Sequence, residues 1–270
     1  MSATKHKKGR IAVVEIGGVL GSNQCRPQVY GKLLEGLGNN KRYGAVLLDI
    51  NSPGGGVAAS QSLYHDVRRL NSRKPVVGFI RGSGTSGAYL VGCACTHLTA
   101  LPGAMVGSIG VIYARPILES LMERVGVSVT VHKAGEHKDM GSMYRDDTPE
   151  EDAMFRSQLD EIHTMFIEDV ARERPILMDE VASLADGTVY TGKRAVELGL
   201  LDDVGDFAHA VEMAATLGSV GPRVQSVRPP RPLLAKLTQP QMQSPLGMLE
   251  ERLSMGGYLM MPTMAGGVSL

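Results

Sequence analysis

The chain has 270 residues, 43% of them hydrophobic and 21% charged, and its 28 basic residues balance 28 acidic ones. A chain of this length and composition can bury a full core, so we expect one large globular domain with appendages rather than a disordered protein. Because the formal net charge is zero, the total charge gives no reason to expect binding to nucleic acid, and we expect no nucleic-acid partner.

The N-terminal residues 1–9 are predicted to form a basic tail, since residues 5–8 read Lys-His-Lys-Lys. The apolar stretch at residues 11–20 is short and is interrupted by Glu15 and two glycines, so it predicts a first strand and turn rather than a signal peptide. No run of the sequence approaches the length of a transmembrane helix. We therefore expect a cytoplasmic location. A contact between the basic tail and an anionic lipid surface, a peripheral membrane association, stays open.

Three cysteines, Cys25, Cys93 and Cys95, make a poor disulfide framework. Cys93 and Cys95 are too close in sequence for an easy bridge, and Cys25 would be left over, which favours a reducing compartment. The same two cysteines could form half of a metal site, but no second pair has ligand spacing. We predict that they are small buried residues, and we expect neither a metal nor a cofactor.

Short apolar runs alternate with helical segments through the first half of the chain. The predicted elements are, in order, a strand over residues 11–16, a helix over 27–37, a strand over 45–50, a helix over 57–70, a strand over 75–80, a helix over 88–95, a strand over 97–101, a helix over 116–125 and a strand over 127–132. This repetition predicts parallel strands joined by helical crossovers, an α/β layer architecture.

A second group of helices begins at Thr148, where a threonine N-cap, a proline and two acidic residues form a helix start. The predicted helices cover residues 148–172, 177–184, 191–198 and 206–217. From residue 222 the composition changes to a proline-rich linker and a tail rich in Met, Gly and Pro, in which residues 245–255 can form a short amphipathic helix. The sequence therefore predicts a domain over residues 10–221, followed by a linker and an extended C-terminal tail over residues 222–270.

Two glycine-rich loops follow predicted strands, and we expect both at the carboxyl edge of one sheet, where open α/β sheets carry their sites. The second loop contains Ser86, directly before a predicted helix whose N-terminal N–H groups favour developing negative charge. The first loop, at residues 51–56, lacks the lysine and hydroxyl of a phosphate-binding P-loop. Together they are compatible with a serine nucleophile and two oxyanion donors, the N–H of Gly87 and that of Gly54 or Gly55. Strand-to-helix turns of small residues are also common without a catalytic role, so the loops alone leave both interpretations open.

A serine nucleophile needs a base, and the residues alone leave two kinds open. One kind is a histidine, since His97, His132 and His137 lie outside the predicted helices and the N-terminal tail. A G-x-S-x-G motif is absent because Ala88 occupies its last position, which disfavours a Ser-His-Asp triad. The other kind is Lys138, in a charged loop where a lysine can equally be a solvated side chain.

Four segments resemble, in chain order, motifs of the signal peptide peptidase A (SppA, protease IV) family: residues 51–55, 85–89, 107–111 and 137–142. Residues 186–192 and 195–202 look like the late segment of the same family, so the resemblance covers roughly residues 10–217. Members of this family are serine proteases with a Ser-Lys dyad. The resemblance therefore implies a serine endopeptidase on the Clp protease/crotonase-like fold.

Position by position, the resemblance implies that Ser86 is the nucleophile and that Lys138, 52 residues later, is its general base. It also implies that the Ser108 hydroxyl orients the lysine, and that Gly55 and Gly87 donate to the oxyanion. This chemistry is demanding, because a lysine amine titrates near 10.4 in water. Desolvation has to lower such a pKa to about 7, a cost of roughly 4 kcal/mol.

Some features depart from the family or oppose its chemistry. The nucleophile turn reads Thr-Ser-Gly-Ala-Tyr-Leu where the family more often has Ala-Ser-Gly-Gly-Tyr-Tyr, and the N-terminal membrane anchor usual in the family is not visible. Asp139 directly follows the candidate base. Because a carboxylate beside the amine would oppose its deprotonation, we predict that Asp139 points away from Lys138.

The resemblance further implies peptide substrates with small or apolar residues at the cleaved position, such as signal-peptide remnants, and a homo-oligomeric ring. Three alternatives stay open. A crotonase-type acyl-CoA enzyme would use the glycine-loop N–H groups to hold a thioester enolate and needs no serine nucleophile. A non-catalytic oligomeric scaffold would need neither serine nor lysine, and a virus-capsid protease would use the same chemistry in another role.

Overall fold

The computed structural model describes residues 9–229 and 259–260. The helix predicted over residues 245–255, and nearly all of the predicted basic tail, lie outside the described residues. The strands are β1 (Arg10–Gly17), β2 (Tyr43–Ser52), β3 (Gly55–Gly56), β4 (Val76–Thr85), β5 (His97–Ala100), β6 (Met105–Gly107), β7 (Val189–Thr191), β8 (Asp203–Val204), β9 (Val224–Ser226) and β10 (Leu259–Met260). The helices are α1 (Pro27–Asn39), α2 (Val57–Asn71), α3 (Gly87–Cys93), α4 (Glu119–Arg124), α5 (Pro149–Glu173), α6 (Met178–Leu184), α7 (Gly192–Glu197) and α8 (Phe207–Gly218).

One mostly parallel sheet forms the centre of the fold. Its main strand order is β7-β6-β4-β2-β1-β9, and β5 pairs with both β4 and β8. All neighbouring strands in this sheet are parallel except β6 and β7. Helices connect the long parallel strands, and the two glycine loops follow β2 and the apolar part of β4. The predicted α/β class is therefore confirmed.

Helices cover both faces of this sheet, as a parallel sheet requires. On one face, α1, α2 and α3 belong to the core that contains Val46, Leu48 and Ile50 of β2. On the other face, α8 packs over a second core that contains Ala45 and Leu47 of the same strand. Because alternate residues of a strand point to opposite faces, the continuous apolar run of β2 serves both cores.

The longest helix, α5, begins as the sequence predicts. The Thr148 hydroxyl accepts a hydrogen bond from the Glu151 N–H at 3.2 Å, and the Glu151 carboxylate accepts one from the Thr148 N–H at 2.9 Å. This reciprocal capping box fixes the start of a helix whose Phe166 and Val170 are buried in the main core. Neither α5 nor any other helix among the described residues combines the length and the apolar character needed to cross a bilayer.

The strand predicted over residues 127–132 is wrong. Val127, Val129 and Val131 lie in irregular backbone and are 52%, 48% and 40% exposed. Alternating valines create an apolar face, but a strand also needs a neighbour that satisfies its backbone N–H and C=O groups. No strand within the described ranges pairs with this segment.

The sheet extends past residue 221, where the sequence places the end of the domain. β9 lies within the predicted linker and tail, yet it pairs in parallel with β1, with Val224 opposite Ile11 and Ser226 opposite Val13. A three-residue edge strand is too short to give a clear period in the sequence. Only its pairing with β1 identifies it as part of the sheet.

Candidate active site

Ser86 lies at the sharp turn between β4 and α3 in a strained backbone conformation. Its φ of 54° and ψ of −126° fall outside the regions that a non-glycine residue normally occupies. Such a conformation costs on the order of 1–3 kcal/mol and is held here by a 2.7 Å hydrogen bond from the Ser86 N–H to the Gly107 carbonyl oxygen. The side chain is fully buried, and its Oγ has no hydrogen-bond partner among the described residues. A strained turn that holds a buried, unpaired hydroxyl is suited to a nucleophile.

The two glycine loops meet at the carboxyl end of the sheet, as predicted. Ser52 of β2 lies opposite Gly84 of β4, and the Asn51 side-chain oxygen accepts a hydrogen bond from the Ser83 N–H at 3.1 Å. Gly87 is the first residue of α3, so its N–H has no acceptor within the helix. This donor therefore lies directly after the serine of the turn.

Close contacts shape the first glycine loop. Gly54 has a φ of 100°, and its N–H donates to Ser52 Oγ at 3.1 Å. The same hydroxyl donates to the Gly18 carbonyl oxygen at 2.6 Å. Gly55 lies so close to Leu20 that a Cβ on it would be 2.1 Å from the Leu20 carbonyl oxygen. The Gly54 N–H is thus already engaged, and position 55 has to be glycine for the loop to pack against Leu20.

Ser108 follows β6 and shares the unusual backbone of Ser86. Its φ is 52°, its N–H donates to the Thr188 carbonyl oxygen at 2.7 Å, and only 5% of the residue is exposed. It borders a cleft of about 710 Å³ between the segment after β6, helix α5 and the loop before β7. Arg156, Asp160 and His163 project into this cleft from α5. Ser108 is therefore placed at the wall of an open, partly polar groove.

Lys138 lies outside the buried site. Its side chain is exposed, and no hydrogen bond joins it to Ser86 within the described ranges. The Asp139 carboxylate accepts hydrogen bonds from Arg145 Nε at 3.1 Å and from Lys133 Nζ at 2.6 Å. These two cations hold the pKa of the Asp139 carboxyl well below its usual range. Asp139 is thus paired with Lys133 and Arg145, and no ion pair joins it to Lys138 among the described residues. The role of Lys138 as the base of Ser86 stays a prediction.

The loop that carries Lys138 is tied to α5 through Arg145. The guanidinium of Arg145 binds both carboxylate oxygens of Glu151, with N···O distances of 2.7 Å. This bidentate pair, together with the Thr148 N–H, lowers the pKa of Glu151 to about 2. Because Arg145 also binds Asp139, one side chain connects the charged loop to the capping box of α5.

The histidines left open by the sequence do not supply a base to Ser86. His97 starts β5 opposite Val77, at the far end of β4 from the serine. His132 is exposed, and His137 lies in the same loop as Lys138. Within the described ranges no histidine contacts the Ser86 hydroxyl.

The cysteines behave as the sequence predicts. All three are free and buried. Burial raises the pKa of the Cys25 and Cys93 thiols to about 12 and also raises that of Cys95. Since a thiolate is the form that reacts and binds metals, these thiols are inert packing groups.

Comparison with known families agrees with this geometry. The profile of peptidase family S49 matches residues 68–221, which include the Ser86 turn, Ser108 and Lys138. The chain belongs to peptidase family S49. Its resemblance to SppA is thereby confirmed, and this S49 chain is a serine protease. The sequence motifs that predicted the family are the same segments that build the turn and the charged loop.

Relatives of this S49 chain come from distant organisms. A Synechocystis protein is 35% identical over 232 residues, which cover 85% of this chain and 83% of that protein. The chloroplastic serine protease SPPA of Arabidopsis thaliana is 28% identical over 258 residues, 92% of this chain and 36% of the plant protein. Protease 4 of Haemophilus influenzae is 26% identical over 214 residues, 77% of this chain and 35% of that protein. The chain thus spans about a third of the length of the last two.

A solved structure supports the predicted fold of the S49 chain. A mutant of a membrane-bound stomatin-specific protease superposes with a TM-score of 0.54 at 14% identity, covering 83% of this chain and all of that one. At this identity the likeness shows the fold alone. It agrees with the Clp protease/crotonase-like architecture expected from the motifs.

Two features of the S49 site were missed from the sequence. One is the left-handed backbone at Ser86 and Ser108, for which the neighbouring glycines were the available signal. The other is β10, whose Leu259 and Met260 pair antiparallel with Gly56 and Gly55. Nothing in the Met- and Gly-rich composition of the tail indicates where a two-residue strand would pair.

Proposed function

We propose that this S49 chain is an endopeptidase in which Ser86 and Lys138 form a Ser-Lys dyad. The observation that supports it best is the Ser86 hydroxyl, which is buried, strained in its backbone and unpaired among the described residues. A buried hydroxyl without a partner is costly, and a base that arrives from outside the turn would satisfy it. Lys138 is the residue of the matched family segment with the chemistry to do so.

In the proposed reaction, Ser86 attacks the peptide carbonyl while Lys138 accepts its proton. The oxyanion then receives hydrogen bonds from Gly87, at the start of α3, and from Gly55. Gly55 is preferred to Gly54 because the Gly54 N–H already donates to Ser52 Oγ. The lysine returns its proton to the leaving amine, and water releases the acyl group from the serine.

Lys138 reaches the serine in this proposal by a movement of its loop or from the loop of a second copy. Ser108 then orients the amine through its hydroxyl. A homo-oligomeric ring is consistent with the exposed faces of Val127, Val129 and Val131, which another copy would cover. Such a contact would also remove water from the amine, as the chemistry requires.

The substrates we propose are extended peptides with small or apolar residues at the cleaved position, including remnants of signal peptides. The edge of β3 supports an extended substrate, because β10 already pairs there antiparallel through Gly55 and Gly56. A peptide that adds to this edge would run beside the proposed oxyanion donor. A cytoplasmic location, with or without peripheral contact to a membrane, stays part of the proposal.

Labelling with a fluorophosphonate tests the proposed nucleophile. The full-length protein should form a covalent adduct whose mass maps to the peptide that contains Ser86. The Ser83→Ala variant is the matched control, since Ser83 lies on the same strand end, and it should label as the wild type does. Failure of the wild type to label would favour the acyl-CoA enzyme or the non-catalytic scaffold, neither of which needs an activated serine.

Removal of β10 should improve substrate binding if peptides use the edge of β3. A chain that ends at residue 258 should show a KM lower by about 5-fold with kcat unchanged, because the two-residue pairing that competes for this edge is worth on the order of 1 kcal/mol. A chain that ends at residue 260 is the control, since it keeps Leu259 and Met260. Steady-state kinetics on a fluorogenic peptide measure the effect, and equal KM values for both chains would contradict it.

A further inference from the structure

We propose that His97, Asp203 and His209 form a binding site for one divalent transition-metal ion, with Zn²⁺ the best match. These residues come from three elements: the start of β5, the start of β8 and the first turn of α8. One ligand atom from each lies within 4.8 Å of the others. Two imidazoles and one carboxylate are a ligand set that Zn²⁺ accepts in proteins.

The distances agree with ligands that surround a common ion. His209 Nε2 lies 2.7 Å and His97 Nε2 lies 3.2 Å from the same oxygen, Asp203 Oδ2. Ligand atoms of a tetrahedral zinc ion with bonds of 2.0–2.1 Å are separated by about 3.3 Å. The cluster therefore needs only small adjustments to enclose an ion.

Two atoms of the cluster have no hydrogen-bond partner among the described residues, although both are buried from solvent. They are His97 Nε2 and Asp203 Oδ1. The nearest carboxylate oxygen to His97 Nε2 is Asp203 Oδ2, at 3.2 Å. A buried carboxylate oxygen without a donor is costly, and a cation would satisfy it and the imidazole nitrogen together.

A second carboxylate lies on the outer side of His97. Asp202 Oδ2 is 3.9 Å from His97 Nδ1, which is too far for a direct hydrogen bond. Asp202 is in turn held by Arg174 through N···O distances of 3.0 Å and 3.1 Å, and it accepts a hydrogen bond from the Leu98 N–H at 2.6 Å. A carboxylate on the outer side of a ligating histidine is a frequent arrangement in zinc sites. Since Arg174 neutralises Asp202, the remaining negative charge of the cluster is that of Asp203.

The site is distinct from the proposed active site. His97 lies opposite Val77 on β4, nine residues before Ser86, which is on the order of 30 Å along an extended strand. A bound ion would join β5 and β8 to α8, whose Phe207 packs edge-on against Phe79 of β4 with ring centroids 5.9 Å apart. The ion would therefore strengthen the attachment of α8 to the sheet. Three protein ligands would leave one coordination position for water.

Metal binding by the full-length protein tests this site. After treatment with EDTA and removal of the chelator, titration with ZnCl₂ in a calorimeter should show one ion per chain, and the temperature of unfolding should rise. Co²⁺ in place of zinc should give the visible absorption of a tetrahedral site. His209→Ala and Asp203→Asn should each weaken zinc binding by about 100-fold. His65→Ala, a histidine on α2 outside the cluster, is the matched control and should bind zinc as the wild type does.

The alternative is that Asp203 is only a hydrogen-bond partner of His209 and that no ion binds. In that case zinc would not raise the unfolding temperature, or would do so equally in the wild type and in His209→Ala, and either result would overturn the proposal. Far-UV circular dichroism of each variant checks that it has folded. The binding measurement does not depend on peptidase activity, so failure of the Ser-Lys proposal would leave this result interpretable.

Discussion

Replacement of Ser86 by alanine should reduce peptide cleavage by at least about 10⁴-fold, because no acyl-enzyme can form without its hydroxyl. The measurement is kcat on a fluorogenic peptide with small residues at the cleaved position. Ser83→Ala should keep wild-type activity. Persistence of cleavage in Ser86→Ala, with contaminating proteases excluded, would remove the nucleophile assignment.

The Ser86→Gly variant distinguishes the catalytic role of the Ser86 side chain from the effect of its backbone strain on stability. Since Ser86 has a φ of 54° and a ψ of −126°, Ser86→Gly relieves backbone strain that Ser86→Ala keeps. We expect Ser86→Gly to be as inactive as the alanine variant while its free energy of unfolding is higher by about 1 kcal/mol than that of Ser86→Ala. Chemical denaturation of the two variants measures this difference. Equal stability would show that the strain is not present in solution.

Replacement of Lys138 should have an effect as large as that of Ser86. Lys138→Ala removes the proton acceptor, and Lys138→Arg keeps a positive charge that cannot be deprotonated in a protein. Both variants should lose at least about 10³-fold in kcat. Lys32→Ala, an exposed lysine on α1, is the control. Activity of Lys138→Arg near that of the wild type would show that the lysine acts as a charge and not as a base.

A mixture of two inactive variants decides which chain supplies the lysine. If Lys138 acts on the serine of a neighbouring copy, co-refolded Ser86→Ala and Lys138→Ala chains should regain part of the wild-type activity, since some contacts pair an intact serine with an intact lysine. If the loop closes within one chain, the mixture stays inactive. Recovery of activity would support an oligomer in which the exposed Val127, Val129 and Val131 lie at the contact between two copies.

Several local features of this chain could be predicted from its residues. The Thr148 helix start, the buried β2 run and the two glycine loops each depend on neighbours in sequence, so composition and spacing were sufficient to predict them. The order of several specific motifs then identified the family. For Asp139, the need for an uncharged amine predicted a carboxylate that does not pair with Lys138, and the structure pairs it with Lys133 and Arg145.

Other features depend on contacts between distant parts of the chain, and the sequence alone did not predict them. The valines over residues 127–132 alternate as a strand does but find no partner strand in the described part of the chain, whereas β9, with no clear pattern, pairs with β1. The backbone of Ser86 is likewise held by a hydrogen bond from its N–H to the Gly107 carbonyl oxygen across the sheet. His97, Asp203 and His209 meet only because β5, β8 and α8 are packed together. Residue types and local spacing are properties of the chain itself, but which distant groups come into contact is set by the packing of the whole fold.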